Sequence, residues 1–202
     1  MKMINFKKKI KGKEISKIII DGGVGVIPTD TIYGLVASAF NIKAVEKVYH
    51  LRHRQPDKPC IILISQISDL KKFNIKLSIK LKNMLSQIWP NSISVILPCS
   101  NDNLKYLHRG TKSLAFRLPK DKKLRDFLKI TGPLIAPSAN WEGKEPAKTI
   151  QAAKKYFKNE IDFYLDGGKR DKPPSTLITY QKGKFTILRL GSLSKKLCRL
   201  IY

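Results

Sequence analysis

The chain is poor in acid: 15 Asp and Glu stand against 40 Lys and Arg. No pair of carboxylates falls at a spacing suited to general acid–base work, and no His, Cys, Asp or Glu cluster has the spacing of metal ligands. No Ser–His–Asp arrangement is visible. The three histidines, His50, His53 and His108, have no evident partners and read as surface residues. Cysteine is scarce too. Cys60, Cys99 and Cys198 are odd in number and far apart, which reads as reduced thiols of a cytoplasmic protein and not as a disulfide scaffold. No apolar run approaches the ~20 residues that cross a bilayer, so no membrane partner is expected. Met1 to Lys13 is basic but has neither the apolar segment nor the small-residue cleavage site of a secretory signal. A Walker-type loop and a GxGxxG loop are both missing, which removes support for the standard ATP folds.

Positive charge is in excess. A net +25 over 202 residues favours phosphate-bearing partners such as nucleotides or RNA. The lysines are spread along the chain, however, and a solvated surface in a Lys- and Ile-rich composition explains them equally well. Charge alone names no partner. At 42% hydrophobic and 27% charged, the length suits one substantial core.

Gly22–Leu35 organises the rest. Val24–Ile27 is a short apolar run between glycines and a proline, which predicts a buried strand. It empties into Thr29-Asp30-Thr31, three short oxygen-bearing side chains that favour turns. The spacing predicts helices over 14–21, over 42–51 with Asn41 as cap, over 77–88 ended by Trp89-Pro90, after Asp121, and over 147–157. Strands are expected at 60–64, 94–97, 114–118, 133–137 and 161–165, with a hairpin of 175–180 and 185–190 around Lys182-Gly183-Lys184. Helices and strands alternate early and strands pair late. The expected fold is therefore α/β, a mixed sheet flanked by helices in a single domain over residues 1–202. Its core runs from about 14 to 194, between short basic tails.

Five polar segments fall at the ends of these elements: Thr29–Thr31, Arg52–Lys58, Ser113 with Arg117, Ser138–Asn140, and Ser175-Thr176 with Arg189. Such a set supplies no nucleophile. It suits phosphoryl or nucleotidyl chemistry, in which positioning and charge neutralisation dominate. Arginine forks grip phosphate oxygens in pairs and a lysine adds a compact charge. The alternation of Leu114, Phe116 and Leu118 puts Arg117 on the opposite face as an inward charge. Its partner is open between a ligand carboxylate and a structural aspartate.

In order and spacing, these segments resemble the YrdC-like family of threonylcarbamoyl-AMP synthases. The matching stretches are PTDTIYGL (28–35), RHRQPDKP (52–59), Trp89-Pro90, LAFRLP (114–119), APSAN (136–140), LDGG (165–168), Ser175-Thr176 and ILRLG (187–191). The resemblance implies a twisted α/β sheet with a basic concave face and a nucleotidyltransferase reaction. L-threonine, bicarbonate and ATP would give threonylcarbamoyl-AMP and pyrophosphate, feeding threonylcarbamoyladenosine modification of tRNA. It implies threonine contacts at Thr31, Arg117 and Ser175, and nucleotide contacts at Arg54, Lys58, Ser113, Ser138, Asn140 and Arg189. Arg52, Arg54 and Lys58 would neutralise charge on the leaving pyrophosphate. Magnesium would accompany ATP, held mainly by phosphate and water, and no metal site of the chain's own is implied. The adenylate would reach tRNA directly or through a separate transferase.

The chain departs from the family at four places. Arg52 stands where lysine is usual, Leu63 where a histidine is, Asn91-Ser92 where Gly-Pro is, and Leu190 where a proline is. The rival reading from another class is a non-catalytic double-stranded RNA-, tRNA- or ribosome-binding protein that uses the same basic face.

Overall fold

The computed structural model describes residues 2–5 and 11–191. Ten strands form one mixed sheet in the order β1-β8-β2-β3-β7-β4-β6-β5-β9-β10. They are β1 Lys2–Asn5, β2 Gly25–Pro28, β3 Tyr33–Ser38, β4 Ile61–Leu63, β5 Ile93–Pro98, β6 Ser113–Arg117, β7 Leu134–Ile135, β8 Phe163–Asp166, β9 Thr176–Gln181 and β10 Lys184–Arg189. The helices are α1 Lys11–Ile20, α2 Ile42–Leu51, α3 Ile79–Ile88, α4 Lys105–His108, α5 Lys122–Thr131 and α6 Ile150–Phe157. No helix among the described residues is long and apolar enough to cross a membrane.

The caps behave as short polar side chains should. Asn41 accepts from the Ala44 amide at 2.9 Å, and Asp121 accepts from the amides of Lys123 and Leu124. Helix α6 starts at Ile150 and not at Ala147, because Thr149 caps it. Lys182 and Gly183 both have positive φ, as a two-residue hairpin turn between β9 and β10 requires.

Three features depart from the sequence expectation. Tyr33–Ser38 is a strand, antiparallel to β2; nearly all of it is buried, so no polar–apolar alternation betrays it. Lys2–Asn5, expected as part of a basic tail, pairs in parallel with β8, and that pairing depends on a partner over 150 residues away in sequence. Ile67–Phe73 forms a 3₁₀ helix closed by the Asp69 carboxylate on the Ser65 and Gln66 amides. Cys60 and Cys99 are buried free thiols; Cys198 and the expected C-terminal tail after Gly191 lie outside the described residues.

The two faces of the sheet are covered unequally, and this creates the site. On one face Val26, Leu35, Ile62, Phe116 and Ile178 pack against α2, α3, α4 and α6. On the other, Ile27, Val36, Leu63, Leu134 and Phe163 pack against Ile15 and Ile19 of α1 and Leu124, Phe127 and Leu128 of α5. Strand register carries that second face onward to Ile61, Ala115, Arg117, Ser94, Ile96 and Leu177. Those residues border open cavities instead of helices, apart from Ser94, which lies beneath them.

Gly25 sits on this second face directly against Phe163. A Cβ there would overlap the ring. Gly25→Ala should therefore destabilise the fold by about 1–3 kcal/mol in urea unfolding, whereas an unchanged midpoint would contradict the packing described.

Candidate functional site

Two adjoining cavities open on the uncovered part of the sheet. The larger, about 440 Å³, has Arg52, Arg54, Lys58 and Arg189 on its walls with Thr111, Ser113 and Ser138. Its floor is apolar: Ile61, Ile96, Ala115 and Leu177. The smaller, about 90 Å³, is lined by Thr29, Thr31, Arg117 and Ser175 among others. Ile61, Pro137, Ser138 and Arg189 belong to both, so the cavities share a wall.

The cationic end is built by the chain leaving α2. Arg52 is buried and is held by neutral oxygens. Its Nε donates to the Asn140 carbonyl at 3.0 Å, and Nη2 donates to Ser138 Oγ at 3.2 Å and Asn140 Oδ1 at 3.4 Å. Nη1 has no hydrogen-bond partner among the described residues. Burial, and then the charge of Arg54, pulls the Arg52 guanidinium down to about 10. Arg54 is tied to the carbonyls of Lys58 and Pro59, at 3.0 and 2.9 Å. His53, between the two arginines, has a φ of 49° and stacks on Trp141 at 5.2 Å between ring centroids. Lys58 pairs with Glu142 at 3.3 Å, and Glu142 also accepts the Gln55 amide at 2.6 Å. Glu142 thus fastens the basic loop to the segment after β7.

The smaller cavity is built around Arg117, only 5% exposed. Its Nη2 pairs with Asp30 Oδ1 at 3.2 Å and its Nη1 donates to Thr31 Oγ1 at 3.1 Å. A buried aspartate is therefore one standing partner of Arg117, and it does not use all the guanidinium N–H groups. Burial first, and then Arg189, lowers the Arg117 guanidinium's proton affinity, with Asp30 opposing. Thr29 shapes the turn by donating to the Ile32 carbonyl at 2.7 Å. Across the cavity, Ser175 Oγ lies 2.9 Å from Ser94 Oγ, and Arg189 donates to the Ser175 carbonyl at 2.9 Å.

The expected site residues fall into two groups. Thr31, Arg117 and Ser175 meet at the smaller cavity; Arg52, Arg54, Lys58, Ser113, Ser138 and Arg189 meet at the larger. Asn140 is the exception. It is not on the wall but behind Arg52, its amide donating to the carbonyls of Trp141 and Lys144, both at 2.7 Å. His108 corrects an expectation: it is buried and not at the surface, and its Nδ1 accepts from the Gly110 amide at 3.2 Å. Asp30, Ser94, Thr111 and Glu142 were missed. Asp30 lay inside a motif already singled out; Glu142 carries no local signal. Leu63 is the cross-strand neighbour of Arg117 and packs under α5.

Fold and site together define an α/β protein with two joined recesses, the larger one walled by basic side chains, on an open sheet face. The chain belongs to the Sua5/YciO/YrdC family, whose model, described as telomere recombination, matches residues 17–191. It is 30% identical over 186 residues to the threonylcarbamoyl-AMP synthase of Bacillus subtilis, covering 91% of this chain and 54% of that one. Among solved structures it resembles Pyrococcus abyssi Sua5 complexed with L-threonine, at TM-score 0.90 and 25% identity, over 100% of this chain and 61% of that one. E. coli YciO, at TM-score 0.85 and 18% identity over 98% of its length, shares the fold. The chain thus spans little more than half of the first two relatives.

Burial alone would raise the Glu142 carboxyl, but hydrogen bonds from the Gln55 amide and Lys58 outweigh it and hold the carboxyl below its ordinary 4.5. The stability it contributes is present above that value and is lost as pH falls through the lowered one. Glu142→Gln should reduce the thermal midpoint at pH 7, and the gap to the native chain should narrow as pH falls through the lowered carboxyl value and close below it. A gap of constant size would show that the carboxylate charge is not the tie.

Proposed function

We infer that the chain joins L-threonine, bicarbonate and ATP into threonylcarbamoyl-AMP with release of pyrophosphate. The carrying observation is the shared wall. A recess of amino-acid size with a buried arginine opens onto a basic cavity within the ~300–1,000 Å³ range of small-molecule sites. An RNA-binding surface has no use for a small recess built around a buried arginine. The names of the relatives agree with this reading.

Arg117 offers its remaining N–H groups to the threonine carboxylate, with Thr31 and Ser175 as neighbouring hydroxyls. The apolar floor suits the flat base of the nucleotide, and Ser113, Ser138 and Arg189 supply polar contacts along it. Threonine's amine forms a bond to the carbon of bicarbonate as water leaves. The resulting carbamate oxygen then bonds to the α-phosphorus, and the bond to the leaving pyrophosphate breaks. Arg52, Arg54 and Lys58 stabilise the charge that builds on pyrophosphate. Two of them are held by carbonyl oxygens, so no carboxylate competes with phosphate for those two. Asn140 acts through Arg52.

Magnesium would fit as a companion of the triphosphate. Among the described residues on the larger cavity's wall, Asp57 is the one carboxylate, and the others are basic, neutral polar or apolar, so phosphate and water would supply most of its ligands. When bound, the ion screens triphosphate charge. The product serves tRNA in the cytoplasm, directly or through a separate transferase.

The test uses labelled bicarbonate with ATP and L-threonine, and follows the label into an AMP adduct by chromatography. Arg54→Ala and Lys58→Ala should each lower adduct formation by about 100-fold or more. Native rates in both variants would contradict the assignment.

A further inference from the structure

Asp30 faces Arg117 with one oxygen only: Oδ1 lies 3.2 Å from Nη2 as an ion-pair contact and has no hydrogen-bond partner among the described residues. Its second oxygen, Oδ2, accepts from Ser92 Oγ at 3.0 Å and from the Lys120 amide at 3.3 Å. A carboxylate free to turn grips a guanidinium with both oxygens. Here that rotation is blocked from outside, because Ser92 and Lys120 occupy Oδ2. Arg117 therefore keeps N–H groups that Asp30 would otherwise take, and its Nε has no hydrogen-bond partner among the described residues. Ser92 also reaches the opposite wall of the small cavity: its carbonyl accepts the Thr176 amide at 3.0 Å, one residue from Ser175. It is almost buried, at 9% exposure, so its hydroxyl sees little competing water.

We propose that Ser92 is a positioning residue for carboxylate recognition, which keeps Asp30 monodentate so that Arg117 stays available to an amino-acid ligand. The proposal rests on the reading of the smaller cavity as the threonine site. It is particular to this chain: the family resemblance places Gly-Pro at 91–92, and proline has no donor to offer Asp30. Loss of the Ser92 hydroxyl lets Asp30 turn onto Arg117 and compete with the ligand. The effect falls on threonine binding and not on the later bond-making step, since Ser92 touches neither the basic loop nor the larger cavity's wall.

Ser92→Thr and Ser92→Val add the same bulk and differ by a hydroxyl. Calorimetry with L-threonine and with the carboxylate-free L-threoninol, together with steady-state kinetics, separates the two effects. Ser92→Val should weaken L-threonine binding about fivefold or more and raise KM for threonine in parallel. Its kcat and its KM for ATP should stay within about twofold, and its affinity for L-threoninol should match the native chain's. Ser92→Thr should bind L-threonine as the native chain does. An L-threonine affinity unchanged in Ser92→Val overturns the proposal, as do equal losses in both variants, which would mark a packing effect. If Ser92→Val does not fold, Ser92→Ala is judged by the same criterion. A native chain that binds no L-threonine removes the reading of the cavity and the proposal with it, and so tells the two failures apart.

Discussion

Arg117 sits on a central strand, almost out of water, where an unpaired guanidinium is strongly unfavourable. Asp30 compensates the charge, and to do so the β2–β3 loop must reach across the sheet to β6. That demand accounts for much of the local architecture. Thr29 stiffens the loop, Thr31 takes a second guanidinium N–H, and the turn before β5 supports Asp30 from behind. A fully satisfied arginine would be inert toward ligands. This one is neutralised by a single ion pair, retains donors, and faces a cavity.

The basic loop follows a different rule. Arg54 lies close enough to Arg52 to disfavour the charge of Arg52, and the backbone and Asn140 answer with carbonyl oxygens. Carbonyls orient a guanidinium without cancelling its charge. Lys58 is the exception, but its Glu142 partner is partly solvent-exposed, and such a pair exchanges readily. In the smaller cavity the buried arginine thus faces an aspartate, whereas in the larger Arg52 and Arg54 face neutral oxygens and keep their charge uncancelled. The division follows from the unequal covering of the sheet, because α1 and α5 fill only part of the face that carries both.

Much of this was legible in the sequence because the signals were local. Asn41 and Asp121 announced their helices, Lys182-Gly183 announced a hairpin, and the alternation over Leu114–Leu118 put Arg117 on the face it occupies. What escaped was set by distant partners. Tyr33–Ser38 is buried along nearly all its length, so its strand has no period to detect. The pairing of Lys2–Asn5 depends on β8. Asp30 reads locally as a turn former, since its role appears only when β6 and Ser92 come beside it. The motif of Asn140 gives no hint of its bonds to Arg52, which depend on a partner 88 residues away. His108 has the composition of a surface residue and the position of a core one.

If the two recesses hold two substrates of one reaction, neither should turn over without the other. The decisive measurement is pyrophosphate release from ATP, with magnesium and bicarbonate and with or without L-threonine. Release should depend on threonine. Release that ignores threonine, or none at all from a folded chain that binds both ligands, would contradict it.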